Sequence, residues 1–597
     1  MNEKQKTRDQ IKEKYKWDLT SFYKNLDDWY LDIDKINPLV EELVSYKEKI
    51  MANSSNLLTV LTKLDDLKRL INNLIVYAYL KYNEDTSNNE SNITKGKIEK
   101  INSEVDEKIA FINTEILKED YSLVKKYLNE LDELKIYQYY LENLFRFKDH
   151  ILSDKEEKII ASIGEILNTA DDIYTVIKNA DLKYGKIIID NKEIEVTESN
   201  YIKLIKSDRQ DIRKKVFKKL YETYDEFKNT FAATLKYNVK NNIFIAKTRK
   251  YTNPLQMSLY NNNIDLLVYD NLIKVVNNNL DILHKYIALK KKELNLKEFH
   301  MYDIYASMVS NSNKEYSYED AVNIVINALK PLGDDYIRVV KKIFNERMID
   351  VFTNKGKLSG AYSFGSYDSP PYIHLNYNNT LDSVFTLVHE VGHSVHSYYS
   401  NNKQPYIYHK YPIFTAEIAS IVNEILLVRY LLNNTNDIKE KKILLNQMIE
   451  LFKGTIYRQT MFAEFEKILY LKEQNNEVLT AKLISDIYYD LNKKYYGDSI
   501  IHDQEISLEW CRIPHFYSPF YVYQYATGLA AACAIVSDIL DGKEETLINY
   551  KKFLASGNSD YPINLLKKVG VDMTTTKPIE KALNMFNDII DEYINLN

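Results

Sequence analysis

Hydrophobic residues recur along most of the chain at steps of three and four, which is the period of a helix with one apolar face. The longest such run extends from Ile212 to Ile243 and predicts a single long helix with a buried face. Only 14 glycines and 11 prolines interrupt a chain of 597 residues, which favours long helices over many short strands. The sequence therefore predicts a mostly α fold. Further helices are predicted over 56–83, 92–118, 120–147, 155–180, 264–294, 317–346, 437–475 and 576–595.

Two short stretches between the helical runs have the pattern of a β-hairpin. Lys186–Ile189 and Glu193–Val196 resemble strands, and Asp190 and Asn191 between them suit a tight turn. This hairpin is the clearest interruption in the first half of the chain. We therefore predict a soft boundary near it, between a helical N-terminal domain, 1–200, and a catalytic domain, 201–597.

A glycine-rich block precedes a predicted strand later in the chain. Gly356, Gly360 and Gly365 lie within ten residues, where glycine lets another backbone approach closely. The alternation of apolar residues over 373–377 predicts a strand just after this block. A strand edge here could bind an extended peptide through main-chain hydrogen bonds, whatever the peptide sequence. A plain hairpin turn is the alternative.

Two histidines and a glutamate lie on a further helical run, from Thr380 to Tyr399. His389 and His393 are four residues apart, so their imidazoles lie one turn apart on the same face of the predicted helix. Two imidazoles in this arrangement can bind one zinc ion, and Glu390 beside the first can accept a proton from water as general base. A single match to this short motif can arise by chance, so a third ligand is needed to support a metal site.

Glu417 is the candidate for the third ligand. It lies 24 residues after His393 on a second helical run, and Glu424 follows two turns later on the same face. One carboxylate could bind the metal while the other accepts a hydrogen bond from a ligand imidazole. His396 is expected to support the ligands or to pack, because catalytic zinc keeps one position open.

A tyrosine-rich stretch in the last fifth of the sequence offers hydrogen-bond donors. Hydrolysis of an amide places negative charge on the carbonyl oxygen, and a neutral donor opposite the metal can stabilise this charge. His515 and one or two of Tyr517, Tyr521, Tyr523 and Tyr525 could act in this way. The chain contains 50 tyrosines, so packing is the alternative for each of them.

In their order and spacing, these motifs resemble the oligoendopeptidase F family of zinc oligopeptidases, which is related to thimet oligopeptidase. The resemblance rests on His389–His393, the sequence Glu-Ile-Ala-Ser-Ile-Val-Asn-Glu that begins at Glu417, the block from Ser359 to Tyr377, and Ile513–Tyr517. It implies a large helical ellipsoid with a deep central channel, whose walls limit substrates to short peptides. It also implies a small β element beside the zinc-binding helix.

The resemblance further implies roles for individual residues. One zinc ion is expected on His389, His393 and Glu417, with Glu390 as general base and proton shuttle. His515 is expected to contact the substrate or the transition-state oxygen. The remaining roles are Tyr525 and Tyr517 as catalytic tyrosines, Gly360, Ala361, Tyr362 and Tyr521 as substrate-binding residues, and Glu424 and His396 as residues that support the metal ligands.

Composition and charge argue against several other classes. The net charge is −6 with both signs interleaved, so we expect no nucleic-acid partner. The first residues lack the apolar core of a secretory signal and no run of 18 apolar residues occurs, so we expect a cytoplasmic protein without membrane association. Cys511 and Cys533 are the only cysteines, which argues against a cysteine-bound metal.

The predicted function is that of a zinc-dependent oligoendopeptidase, an HExxH metalloendopeptidase of the gluzincin type that hydrolyses internal bonds of short peptides with a metal-activated water. One alternative is an exopeptidase of related architecture. Another is a catalytically inactive peptide-binding protein, and a third is an all-α scaffold in which the motif occurs by chance. The expected partners are short peptide substrates, and the oligomeric state is left open.

Overall fold

The computed structural model describes residues 5–309 and 314–596, and helices account for most of them, as predicted. The helices before residue 310 are α1 (Leu26–Ile33), α2 (Ile36–Ser45), α3 (Ser54–Glu84), α4 (Asn89–Ile109), α5 (Phe111–Lys118), α6 (Tyr121–Glu130), α7 (Gln138–Arg146), α8 (Asp154–Ser162), α9 (Gly164–Val176), α10 (Glu198–Ile205), α11 (Gln210–Thr248), α12 (Pro254–Tyr260), α13 (Leu266–Asn278) and α14 (Leu280–Glu293). Those after residue 313 are α15 (Tyr318–Ala328), α16 (Asp334–Asn345), α17 (Leu381–Lys403), α18 (Ile413–Asn433), α19 (Ile438–Phe452), α20 (Arg458–Gln474), α21 (Ala481–Tyr496), α22 (Tyr523–Leu540), α23 (Glu544–Leu554), α24 (Pro562–Lys568) and α25 (Lys577–Ile594).

The spacing of hydrophobic residues predicted where helices occur better than it predicted where one helix ends and the next begins. The predicted long helix is confirmed as α11, and the run at 56–83 is confirmed as α3. The run at 317–346, in contrast, is divided into α15 and α16. Pro331 lies in the short turn between them, and Gly333 has a φ of 90°, which few other residues adopt. These two residues end one helix and start the next.

The predicted hairpin is confirmed. Its strands are β1 (Lys186–Ile189) and β2 (Lys192–Glu195), which pair antiparallel. Asp190 and Asn191 have φ values of 48° and 63°, the left-handed region that a two-residue hairpin turn requires and that these residue types tolerate. The second strand begins one residue earlier than predicted, because the turn takes only these two residues.

A second sheet lies in the region of the glycine-rich block. Its strands are β3 (Ile349–Phe352), β4 (Tyr362–Phe364) and β5 (Tyr372–Tyr377), in the order β3-β5-β4. The predicted strand at 373–377 is β5, which lies in the centre, parallel to β3 and antiparallel to β4. The expected strand edge is therefore provided by β4, within the glycine-rich block.

The described residues form two compact units, each built from three stretches of the chain. The first unit contains those of 1–148, 313–430 and 535–570, and the second those of 149–312, 431–534 and 571–597. The predicted sequence domains, 1–200 and 201–597, remain a prediction. Neither described stretch contains a helix that is both long enough and apolar enough to cross a membrane.

Helix α17 forms the centre of the first unit. It packs against β4 and β5 on one side and against α16 and α23 on others. The apolar positions predicted for this helix are buried, namely Val384, Leu387, Val388, Val391 and Val395. In the second unit, α11 has the corresponding position, with a buried ion pair of 2.8 Å between Arg213 and Asp303. Each unit is thus built around one long helix.

Candidate active site

The His389–His393 motif lies in the middle of α17. The helix begins as predicted, because the Thr380 side chain accepts a hydrogen bond from the Ser383 backbone N–H at 3.3 Å. The buried apolar residues fix the helix against the sheet, and the two imidazoles lie on its other side. They keep 29 % and 17 % of their side-chain surface exposed, so a ligand can reach them.

Three side-chain atoms converge at this point. Nε2 of His389 and Nε2 of His393 are 3.1 Å apart, and Glu417 Oε2 lies 3.4 Å from the first and 3.6 Å from the second. Zinc bonds of about 2.0–2.2 Å in tetrahedral geometry separate neighbouring ligand atoms by about 3.4 Å. The donor set and its spacing therefore fit one zinc ion, with a fourth position left for water or substrate.

A close crossing of α17 and α18 brings Glu417 to the histidines. A Cβ atom at Gly392 would lie 2.6 Å from the Cα of Ser420, so only glycine permits this approach. Ser420 donates its hydroxyl to Glu417 Oε2 at 3.1 Å, which orients the carboxylate. Asn423 Nδ2 donates to the Val388 carbonyl at 3.4 Å and joins the two helices.

Glu424 contacts the imidazole of His389 on the side of the ring that faces away from the metal position, as predicted from its place two turns after Glu417. Its Oε1 lies 2.5 Å from Nδ1 of His389. Burial acts to lower the pKa of His389, but the hydrogen bond and the charge of Glu424 outweigh it and raise that pKa. This contact fixes the ring so that Nε2 of His389 faces His393 and Glu417.

The second ligand imidazole is kept neutral by its surroundings. Burial, followed by the nearby charge of His389, lowers the pKa of His393. A ring N–H of His393 donates to the backbone carbonyl of Ala416. This leaves a neutral imidazole with a lone pair for the metal, the form in which histidine binds zinc.

Glu390 lies next to this cluster with its carboxylate largely buried. Burial raises the pKa of Glu390 to about 7, while the charge of His389 and a hydrogen bond from the Ser363 backbone N–H act in the opposite direction. A carboxyl group near this value can both accept and return a proton at neutral pH. The Ser363 hydrogen bond also links the carboxylate to β4.

Comparison with known proteins agrees with this geometry. A family model described as peptidase family M3 matches residues 203–585, and one described as oligopeptidase F matches residues 115–184. The oligopeptidase PepF of Bacillus subtilis (strain 168) is 41 % identical over 586 residues, which cover 98 % of this chain and 88 % of the relative. The chain belongs to the oligoendopeptidase F family, within peptidase family M3.

Solved structures place the family fold over the whole chain. The crystal structure of oligoendopeptidase-F from Enterococcus faecium matches with a TM-score of 0.74 and 34 % identity, covering 96 % of this chain and 99 % of the other. A crystal structure of a Chlamydophila abortus protein matches with a TM-score of 0.93 and 35 % identity, covering 100 % of both chains. Family membership and the His-His-Glu cluster together confirm the predicted zinc metalloendopeptidase and its zinc cofactor.

His396 lies in a packed position near the family's zinc motif. Its ring stacks on Tyr411, with ring centroids 3.6 Å apart, and it is fully enclosed. The Tyr411 hydroxyl is 2.9 Å from Ser397 Oγ and 3.4 Å from the His393 carbonyl oxygen. His396 is therefore packed away from the metal position, and Tyr411, on which it stacks, contacts the backbone of the ligand His393.

The predicted substrate-binding residues lie on and just before β4. Gly360 has a φ of 87°, a conformation that favours glycine. The Tyr362 side chain faces inwards, where its hydroxyl accepts from Asn83 Nδ2 at 2.6 Å and its ring stacks on His374. The Tyr362 side chain is therefore held by contacts within the first unit.

The C-terminal candidates belong to the second unit. His515 is half-buried, and burial and the charges of Lys178 and Arg458 lower its pKa. The hydroxyls of Tyr521 and Tyr525 are 3.2 Å apart, and the rings of both lie within 6.3 Å of the His515 ring. Tyr517 is used differently: its hydroxyl is 2.7 Å from Thr234 Oγ1, and its ring stacks on Tyr174.

Sequence reasoning missed several groups that hold the site. Ala416 and Ser363 act through their backbone, so their side chains give no signal. Ser420 could have been found, because it lies three residues after Glu417 on the same predicted helix and can reach its carboxylate. Tyr411 lies in a loop without periodicity, and only the folded chain shows its contacts.

Proposed function

We propose that the chain hydrolyses internal bonds of short peptides with Glu390 as general base. The observation that carries this proposal is the position of the Glu390 carboxylate, which is buried next to the His389, His393 and Glu417 cluster. A carboxylate beside a bound zinc ion can act as general base towards water at the open metal position.

The residues of the chain divide the work of hydrolysis between them. His389, His393 and Glu417 would hold the zinc ion, which supplies Lewis-acid chemistry for water and for the scissile carbonyl when it is bound. Glu390 accepts the proton of the attacking water at a carboxylate oxygen. It then donates that proton to the nitrogen of the leaving amine.

His515 and Tyr525 are proposed as the hydrogen-bond donors to the oxyanion. The lowered pKa of His515 keeps its imidazole neutral, so that it can donate without adding a charge. Tyr525 is preferred to Tyr517, because the Tyr517 hydroxyl is already engaged by Thr234 in the packing of the second unit. Tyr521, whose hydroxyl is 3.2 Å from that of Tyr525, stays the candidate for substrate binding.

The backbone edge of β4 is proposed as the peptide-binding strand. It is an edge of the sheet, and Ser363 on it contacts Glu390, so a peptide paired along β4 would pass beside the general base. Main-chain pairing does not depend on side chains, which suits an enzyme for varied short peptides.

The proposed domain boundary near residue 200 is supported by the gap between the two family matches, which end at 184 and begin at 203.

The proposal is tested with Glu390→Gln, which keeps the shape of the side chain but removes its basicity. We expect zinc content equal to that of the parent and a fall in kcat of about 10²- to 10⁴-fold on a fluorogenic peptide. Glu346→Gln, which removes an exposed carboxylate in the same unit, is the matched control and should retain parental activity. Parental turnover by Glu390→Gln would show that another group is the base.

Product analysis separates the proposed endopeptidase from an exopeptidase. Peptides of graded length with both termini blocked are incubated with the zinc-loaded protein, and the fragments are identified by mass spectrometry. An endopeptidase cleaves such peptides and leaves both blocked ends on recovered fragments. Release of terminal residues from unblocked peptides only would support the exopeptidase instead.

A further inference from the structure

Strand β4 and helix α17 run side by side in the first unit and in the same direction. Near its middle, β4 contacts the motif, because the Ser363 backbone donates to Glu390 and Ser363 Oγ is 2.8 Å from Ser394 Oγ. Further along, Asn401 Nδ2 donates to the Ser366 carbonyl at 2.9 Å. A peptide bound along β4 would therefore extend past the motif towards the C-terminal part of α17.

A pocket of about 190 Å³ lies at that end of β4. Gly365, directly after the strand, forms one wall, and Ser397 and Asn401 of α17 form another. Pro371, just before β5, and His409, Lys410 and Tyr411, from the loop after α17, complete the lining. Ser397 is one helical turn after the metal ligand His393, a rise of about 6 Å.

This pocket is joined to the metal site by Tyr411. The Tyr411 hydroxyl contacts Ser397 Oγ at 2.9 Å and the His393 carbonyl oxygen at 3.4 Å. A group in the pocket would thus lie about two residues along β4 from Ser363, or about 7 Å at the strand rise of 3.3 Å. That distance is within the reach of a peptide residue close to the cleaved bond.

The only charged groups that line the described pocket are basic, and Lys410 is the main one. Lys410 has no ion pair or hydrogen bond with any residue in the described part of the chain, and no carboxylate lies among the described lining residues. The neighbouring cations are neutralised, since Lys68 pairs with Asp106 and Arg69 pairs with Asp368. Lys410 therefore leaves an uncompensated positive charge beside the end of β4.

His409, the other basic residue in the pocket lining, does not add to the positive charge of the pocket. His409 is buried, and burial lowers its pKa, while its Nδ1 lies 2.6 Å from the Tyr406 carbonyl oxygen. Burial and the charge of Lys68 also lower the pKa of Lys410. The Lys410 side chain is exposed, so a ligand from solvent can reach its amino group.

We propose that this pocket binds a carboxylate of the peptide substrate, with Lys410 as the cation that recognises it. The proposal rests on the proposed function, since it assumes a peptide along β4. The carboxylate comes either from an acidic side chain two or three residues from the cleaved bond or from a free C-terminus at that distance. An ammonium paired with a carboxylate in a partly enclosed pocket discriminates against a neutral group by charge alone.

The test uses a series of short quenched peptides on the zinc-loaded, full-length protein. One arm exchanges Glu for Gln at each position within three residues of the cut, and the other compares a free C-terminus with an amide. For the parent, we expect kcat/KM to be about three- to tenfold higher for the carboxylate member of one matched pair. The arm that shows this ratio identifies the source of the carboxylate, and the ratio should fall as ionic strength rises.

Variants then assign the preference to Lys410. In Lys410→Met the ratio should fall to about one, and in Lys410→Arg it should be largely kept, with folding of both checked by thermal unfolding. Lys403→Met removes an exposed charge at the end of α17 outside the pocket lining and should keep the parental ratio. A parent without any preference, or a Lys410→Met variant that keeps it, overturns the proposal. Failure of the parent to cleave even the neutral peptides would instead contradict the proposed function.

Discussion

Neighbouring residues in the motif have different protonation properties because each has different partners. His389 and His393 are one turn apart, yet Glu424 raises the pKa of the first and burial lowers that of the second. Glu390 between them has no basic partner that outweighs its burial, so its pKa rises to about 7. His389 and His393 are residues of the same type, so the difference between their pKa values comes from their environments.

The role of Glu424 gives a prediction for metal affinity. Replacement by Gln keeps a hydrogen-bond acceptor near Nδ1 of His389 but removes the negative charge that strengthens it. We expect the zinc dissociation constant to increase by about 10- to 100-fold, measured by competition with a chelator. Glu346→Gln serves as the control again and should bind zinc like the parent. Equal affinities for Glu424→Gln and the parent would show that the imidazole is fixed without this carboxylate.

Among the elements, the crossing of α17 and α18 matters most for the site. Two of the zinc ligands lie on one helix and the third on the other, so the separation of the helices sets the ligand geometry. Gly392 on α17 lies against the backbone of Ala419 and Ser420 on α18. Any side chain at this position would have to separate the two helices.

Gly392→Ala should therefore damage metal binding and stability together. The added Cβ would lie 2.6 Å from the Ser420 Cα, and such overpacking typically costs about 1–3 kcal/mol of unfolding free energy. We expect a lower melting temperature and weaker zinc binding, measured by calorimetry and chelator competition. Gly96→Ala is the control in the same unit, because a Cβ there meets no atom within 4 Å. Normal zinc affinity in Gly392→Ala would contradict a role for this close approach.

Those parts of the site that depend on residues of a single helix could be predicted from the sequence. The four-residue spacing of His389 and His393 and the seven-residue spacing of Glu417 and Glu424 fix which side chains share a helix face. The bounds of the edge strand could not be predicted from periodicity, because β4 has three residues and no alternating burial. The Ala416 carbonyl could not be predicted either, since every residue has one and only the tertiary fold selects it.

At the scale of the whole molecule, stability depends on groups far along the chain from the motif. Glu466 on α20 is 2 % exposed, and its Oε1 accepts the Phe520 backbone N–H at 2.7 Å. Its Oε2 has no hydrogen-bond partner in the described part of the chain. Burial raises the pKa of Glu466 well above its usual value, which favours the protonated form in the folded protein.

This buried acid predicts a pH dependence of stability. Because the folded pKa is raised, the unfolded state binds fewer protons above the usual glutamate pKa, and unfolding free energy falls as pH rises through that range. One such group contributes a slope of up to about 1.4 kcal/mol per pH unit. Glu466→Gln should lose this contribution and be more stable than the parent at pH 8, measured by denaturant unfolding at several pH values. Identical slopes for the two proteins would show that Glu466 is not protonated in the folded state.

The interleaved chain path has a consequence for biosynthesis. The first compact unit combines residues of 1–148 and 313–430 with 535–570, and the second combines residues of 149–312 and 431–534 with 571–597. During translation, therefore, the first unit cannot close its core until 535–570 have left the ribosome, and the second cannot do so until 571–597 have left it. Nascent chains expose apolar helix faces for most of this time, and truncated genes that end before these segments should yield aggregates rather than half-proteins.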